Sequence, residues 1–391
     1  MVFKGEFITL ILIAAAGMML LTSARELITI YVALELASLP LVALAAMQID
    51  RRSTEAGLKF FVIGAVSSAV LLYGMVFVYG YTGTTYLGAI VDRIGELGVV
   101  SDQPFGSYAV LFGIVMMTAG FGFKIAVVPF QMWVPDVYEG SPTPVVAFLS
   151  VASKAAGFAV LLRVLYLAFG SEDLQKEWSV LFAVMAAASM TVGNLLALSQ
   201  RNFKRLLGYS TIAHAGYILM GVASVAANTE YGAGASGQHA VLFYLGGYAF
   251  TNLVVFFGLI GITNKTGNDL VEGLAGMGKR APILAALMAF GIISLLGLPP
   301  TVGFMGKIFV FSAAVNSGLV WLAVVGAVNT AISAFYYLNV IRVMYLEEPV
   351  SVKTITVERP LLIITALGAV GIALFGIGPW LLLEFASQTI G

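Results

Sequence analysis

Cysteine is absent from all 391 residues, and histidine occurs only twice. No disulfide, cysteine-held iron–sulfur cluster or thiolate metal site can be built from such a chain. Two histidines are too few for a multi-histidine metal site. A redox machine that contained this chain would carry its electrons in other subunits. Charge is scarce as well: 10% of residues are Asp, Glu, Lys or Arg, against roughly 25% in a soluble domain. The 20 basic residues balance the 20 acidic ones, which leaves no net field to attract nucleic acid or an anionic surface. The glycine-rich stretch 232–237 follows no strand and is not a dinucleotide fingerprint. No Ser–His–Asp or paired-carboxylate arrangement stands out.

What remains is overwhelmingly apolar. Hydrophobic residues make up 60% of the chain and the mean hydropathy is +0.98, far beyond what a water-soluble core needs. About 20 apolar residues cross a bilayer as a helix, and eleven such runs are legible. They lie at approximately 6–22, 26–48, 57–80, 106–134, 142–168, 177–199, 203–225, 239–262, 281–316, 319–343 and 359–386. None alternates in the short, ten-residue manner of a transmembrane strand. The expected fold class is an all-α polytopic membrane bundle. The first run lacks a small-residue cleavage site and reads as an ordinary span.

Two runs are too long and hold proline in mid-course: AGFGFKIAVVPFQMW with Pro129, and SLLGLPPTVGFMGKIF with Pro299 and Pro300. Proline lacks the amide donor and clashes with the preceding turn, so each helix should break there. Open backbone at membrane depth survives only inside protein or beside a water-filled cavity. A simple packing kink is the bland reading, and each break's nearness to a lysine favours a functional one. The broken spans are fourth and ninth, an offset that reverses direction across the membrane. That predicts two inverted five-helix repeats, 6–168 and 177–343, with 359–386 as an additional helix and the whole of 1–391 as one transmembrane domain.

Loop cations set orientation. One side collects Lys4, Arg51, Arg52, Arg201, Lys204, Arg205, Lys265, Lys279, Arg280, Lys353 and Arg359, while the other has Arg25, Arg93 and Lys176. The N-terminus of this chain is therefore expected in the cytoplasm of a bacterial cell (inner) membrane. The long outer loop 81–105 is the natural place for a short surface helix.

A few charges fall where lipid would forbid them. Glu35 sits midway in IYVALELASLPLVAL, with Lys124 in FGFKIAVVPF, Lys154 in FLSVASKAAGFAV and Lys307 in GFMGKIFVF. Each lysine at a span centre costs roughly 2.5–3.5 kcal/mol, and three cost on the order of 10 kcal/mol without partners or water. Lys59, Arg163, Lys204 and Arg342 lie nearer helix ends, where snorkelling to the interface suffices. For Lys124 and Lys154 the structural reading is an ion pair that fixes helix register. The functional one is proton carriage, since a buried ammonium is disfavoured and a nearby carboxylate restores it. Glu35 is the one deep acid available for that. His214, in GYSTIAHAGYILMGV beside Ser210, Thr211 and Tyr217, fits either a packing residue or a proton carrier. His239 opens a helix and reads as interfacial.

Taken together, VPFQMWVPDVYEGSPTPVVAFLSVASKAAGFA (128–159), LELASLPLVAL (34–44), NLLALSQRNFKRLLGYSTIAHAGYILMG (194–221) and LLGLPPTVGFMGKIFVF (295–311) resemble the antiporter-like membrane subunits of respiratory complex I. The PDVYEGSPTPV form is similar to the subunit N branch of that family, the homologues of mitochondrial NADH dehydrogenase subunit 2. The resemblance spans nearly the whole chain. It implies a proton relay through Glu35, Lys124, Lys154, Lys204 and Lys307. It also implies no cofactor in this chain, with iron–sulfur clusters, flavin and quinone in other subunits. The implied partners are another antiporter-like subunit, the small subunits leading to the quinone module, and the bilayer, with no nucleic acid. Bacterial members carry three further helices ahead of the segment matching the first span here. The natural alternatives are a sodium/proton antiporter subunit of the same fold, and a spacer that transmits movement without carrying protons.

Overall fold

The computed structural model describes residues 4–96, 104–224, 237–349 and 354–390. Lys353 and all but the last residue of the glycine-rich 232–237 stretch lie outside them. Among the described residues every regular element is helical, apart from two isolated bridges. Among the described residues, ten helices are long and apolar enough to cross a membrane, and two shorter apolar ones, Pro282–Leu296 and Val302–Asn316, follow each other in the broken ninth run.

The chain divides into two compact units. The first comprises Met1–Val145 with Ala152–Leu181, and the second Val146–Val151 with Phe182–Gly391. The additional C-terminal helix thus belongs to the second unit.

The first unit holds α1 (Lys4–Ser23), α2 (Leu27–Ala45), α3 (Arg51–Thr82), α4 (Leu87–Glu96), α5 (Pro104–Ile125) and α6 (Trp133–Gly140). It also takes most of α7 (Thr143–Ala168) and the start of α8 (Glu172–Ala197). Asp50 caps α3 by accepting the Ser53 amide at 2.7 Å, and Gly83, at φ +70°, stops it. α3 and α5 lie backbone to backbone, because a Cβ on Gly74 would stand 2.8 Å from the Gly113 carbonyl and the Met117 amide. Small residues at such crossings are how apolar helices gain contact in lipid. The helix expected within 81–105 is α4, which buries Leu87, Ile90 and Ile94.

The second unit holds the remainder of α7 and α8 with α9 (Phe203–Ala223), α10 (Gly237–Thr266), α11 (Pro282–Leu296), α12 (Val302–Asn316), α13 (Val320–Leu346), α14 (Arg359–Ile377) and α15 (Trp380–Ile390). α9 is its axis: apart from Arg205 and Tyr209, every residue from Phe203 to Ala223 is buried. A helix covered all round belongs to an interior rather than to a lipid face. Gly193 and Gly216 admit it, since a Cβ on either would meet backbone atoms of the facing helix at 2.6–2.7 Å.

Two sequence expectations need adjustment. The run 359–386 is not one span: α14 stops at Ile377, and Pro379 begins a separate short helix. The fourth run breaks at Ile125, four residues ahead of Pro129, with Ala126 in the left-handed region at φ +64°.

Each unit also repeats a small device. In the first, the segment before α2 pairs with the segment before α4, Leu27 N–H donating to Thr85 O at 2.9 Å and Leu87 N–H to Arg25 O at 3.0 Å. In the second, the segment before α9 pairs with 269–271, Phe203 N–H donating to Asp269 O and Val271 N–H to Arg201 O, both at 2.8 Å.

Candidate functional site

In the first unit the break after Ile125 frees carbonyls at the end of α5. The Trp133 indole N–H takes up the Phe123 carbonyl at 3.0 Å, and its ring stacks on Phe60 with centroids 4.6 Å apart. A freed helix end buried in protein requires such a partner. Lys124, the last basic residue of α5, extends its Nζ to the Ser38 hydroxyl at 2.5 Å. Ser38 in turn bonds the Leu34 carbonyl, one turn along α2 beside Glu35. Pro40 follows within the same helix, so the Leu36 carbonyl has no amide to accept from.

Glu35 and Lys124 therefore face each other from α2 and α5. They line one cavity of about 200 Å³ with Tyr31, Ser38, Phe60, Phe123 and neighbouring apolar residues. The volume accommodates several waters at about 30 Å³ each. Glu35 Oε1 is buried and, among the described residues, meets no hydrogen-bond donor.

Lys154 is 3% exposed and opens an α-helical stretch directly after a widened, π-type turn at Leu149–Ser153. Such single-turn bulges recur at functional positions. One turn on, Gly157 lets α7 approach the end of α5, since a Cβ there would stand 2.9 Å from Ile125. The first unit thus places Lys124, at the break, next to the helix that carries Lys154.

The acids of the PDVYEG run do other work. Asp136 pairs with Lys59 at 2.8 Å, Lys59 also holds Glu55 at 2.8 Å, and Glu139 pairs with Arg52. They dock α6 on α3. Arg163 donates to the Thr22 carbonyl at 2.8 Å, and Arg342 holds Glu347 at 2.9 Å. The four end-of-helix cations considered for snorkelling each have a protein partner.

In the second unit α11 ends at Leu296, and Gly297 turns the chain at φ +85°. Pro299 and Pro300 occupy the gap, and Thr301 caps α12 by accepting the Phe304 amide. Lys307, one turn into α12, reaches back and donates to the Leu296 carbonyl at 2.7 Å. A cation on the freed carbonyls of a helix C-terminus is stabilised by hydrogen bond and dipole together. Its Nζ also stands 4.8 Å over the Tyr217 ring. Gly297 is required twice, for its φ and because a Cβ would lie 2.8 Å from Lys307 Cδ.

His214 lies nearly three turns deeper along α9 than Lys204. The Tyr244 hydroxyl stands 2.8 Å from its Nδ1, and the Tyr337 hydroxyl 3.2 Å from its Nε2. Lys204, 8% exposed, instead pairs with Asp269 at 3.4 Å, about 15 Å along the helix by its rise. Around His214 the unit assembles a polar network that the sequence reading did not contain. Thr211 bonds the Tyr248 hydroxyl at 2.9 Å, Thr251 bonds Ser294 at 2.9 Å, and Tyr336 donates to Asn194 at 2.9 Å. The available signal was the i, i+4 pair Tyr244 and Tyr248 on α10, on the same face.

The arrangement is that of a membrane subunit built to move a charged particle, with one ammonium at each of two interrupted helices. The family model described as "NADH:quinone oxidoreductase/Mrp antiporter, TM" matches residues 24–333. NADH-quinone oxidoreductase subunit N of Dehalococcoides mccartyi is 44% identical over 387 residues, 99% of this chain and 79% of that protein. The subunit N of Trichlorobacter lovleyi is 43% identical over 390 residues, covering 99% and 77%. Among solved structures, a chain of respiratory complex I from Thermus thermophilus with bound aureothin superposes with a TM-score of 0.80 at 34% identity, covering 97% of this chain and 80% of that one. The chain belongs to the antiporter-like, proton-translocating membrane subunits of respiratory complex I, on the subunit N branch.

Proposed function

We propose that protons cross this subunit through Lys204, His214, Lys307, Lys154 and Lys124, with Glu35 as the acid that governs Lys124. The observation that carries the proposal is the Glu35–Ser38–Lys124 arrangement around a cavity of about 200 Å³. A carboxylate near the ammonium favours its charged form, and withdrawal of the carboxylate favours release of the proton. Ser38 can donate and accept in the same bond network, so it can bridge the two without holding charge itself. The water-sized room beside Glu35 Oε1 lets the acid change partners without a bare charge in hydrocarbon.

Lys154 links the two halves of the route, and Lys307 hands the proton to the outer side. Lys204 with Asp269 forms the entry. The two interrupted helices, each with its lysine, and the repeated pairing before α2 and before α9 support two inverted repeats, 6–168 and 177–343. The cation asymmetry of the loops supports a cytoplasmic N-terminus in the inner membrane of a bacterial cell. Electrons pass from NADH or a related donor to quinone in other subunits, which hold the iron–sulfur clusters and flavin. Another antiporter-like subunit and the small subunits leading to the quinone module are the neighbours.

Glu35→Gln in the assembled complex tests the switch. It keeps the shape and removes the charge. Uncoupled quinone reduction should persist while proton transfer through this subunit slows. Unaltered proton transfer at full rate would remove Glu35 from the mechanism.

A further inference from the structure

Both ring nitrogens of His214 are occupied by tyrosine hydroxyls, Tyr244 on Nδ1 at 2.8 Å and Tyr337 on Nε2 at 3.2 Å. All three side chains are buried, at 4%, 4% and 1% exposure. A neutral imidazole donates from one nitrogen and accepts at the other, and a hydroxyl can do either. Both tautomers of His214 therefore fit between the same two oxygens.

The chain of hydroxyls extends on each side. Behind Tyr337 lies Ser210, hydrogen-bonded to its hydroxyl and one turn before His214 on α9, towards Lys204. Ahead of Tyr244 lies a small cavity of about 10 Å³, lined by His214, Tyr244, Tyr248, Thr251, Ser294 and the glycines Gly303 and Gly306 of α12. That is about the space for one water, which needs two to four polar partners. The hydroxyls of Tyr244, Thr251 and Ser294 supply them. The space exists because glycine occupies 303 and 306: a Cβ on Gly306 would stand 3.1 Å from the Tyr244 ring, and one on Gly303 would collide with Ser294. Gly306 is the residue before Lys307.

We infer that Tyr337 and Tyr244 are relay residues flanking His214, and that the 10 Å³ cavity seats the water receiving the proton on its way to the α11–α12 break. This deepens the proposed route and rests on it. In one passage the Tyr337 hydroxyl proton moves to Nε2 as Ser210 replaces it. The Nδ1 proton moves to the Tyr244 oxygen, whose own proton goes to the water. Tyr337 and Tyr244 end with the protons they began with, and the ring is left in its other tautomer. Ser210 is left one proton short and regains it from the Lys204 side of the proposed route. The water is left with one extra, which it passes on towards Lys307. Exchange of the ring tautomer resets the path.

The test uses the assembled complex in inside-out membrane vesicles, reading protons moved per quinone reduced with NADH as donor, in H₂O and D₂O. The variants are Tyr244→Phe, Tyr337→Phe, their double and Lys307→Ala. The expected result is that each Phe variant loses as many protons per quinone as Lys307→Ala. The double loses no more than either single, and the solvent isotope effect on coupled turnover rises in the singles. Full proton yield in either Phe variant, with loss in Lys307→Ala, would overturn the tyrosine path and leave the relay standing. Full yield in Lys307→Ala as well would overturn both. Less assembled complex with unchanged yield and isotope effect would make the tyrosines packing residues and overturn the inference.

Discussion

Lys307 closes the end of the helix that precedes it: its ammonium donates to the Leu296 carbonyl at 2.7 Å across the α11–α12 gap. In the first unit the corresponding freed end, at Phe123, is met by the Trp133 indole instead, and Lys124 is left to face Ser38 and Glu35. Lys307 is thus both a structural cap and a proposed proton carrier, while in the first unit those duties fall to different residues.

Lys307→Met separates the two duties from the rest of the fold. The Leu296 carbonyl loses a buried, charge-assisted partner, which costs about 1–3 kcal/mol. The assembled complex should unfold at lower temperature and move fewer protons per quinone, and a thermal scan beside a proton-yield assay checks both.

Gly297→Ala changes no titratable group. Its φ of +85° costs an L-residue about 1–2 kcal/mol, and the new Cβ lies 2.8 Å from Lys307 Cδ. Lys307 must shift, so proton yield should fall although the substituted residue carries no proton. An unchanged yield would show that the Lys307–Leu296 contact is dispensable.

Trp133→Phe preserves an aromatic on Phe60 and removes the bond to the Phe123 carbonyl. The Phe123 carbonyl keeps the Ala126 amide at 3.2 Å, so the expected cost is that of one hydrogen bond, about 0.5–1.5 kcal/mol. Stability should drop with proton yield per quinone intact in the complexes that assemble, whereas Gly297→Ala should lower the yield as well.

Asp136→Asn breaks the pair with Lys59, whose side chains are 42% and 32% exposed. Such a pair is worth about 0–1 kcal/mol and is weakened by salt. Little change in thermal stability is expected, and a large loss at high salt would show that the pair is sealed from solvent.

Much of this was legible in the sequence because membrane burial is written in composition. The apolar runs give the spans, and a lysine inside one cannot hide. Two prolines in succession, Pro299 and Pro300, marked the second break, whose gap runs from Gly297 to Thr301. Pro129 was a poorer marker, since the helix ends where Ala126 turns left-handed, and alanine carries no sign of that. The hydroxyl partners were not legible: Tyr244, Tyr248 and Tyr337 read as ordinary aromatic packing until α10 and α13 are placed around α9. Asp269 was equally hidden, because its pairing with Lys204 depends on the 269–271 segment folding back onto the start of α9.

The central claim is that Lys124 carries the proton through this subunit. Its most direct test is the number of protons moved per quinone reduced by Lys124→Ala complexes, alongside uncoupled quinone reduction as a control for assembly. The expected result is normal uncoupled quinone reduction with proton transfer through this subunit abolished. A full proton yield in that variant would contradict it.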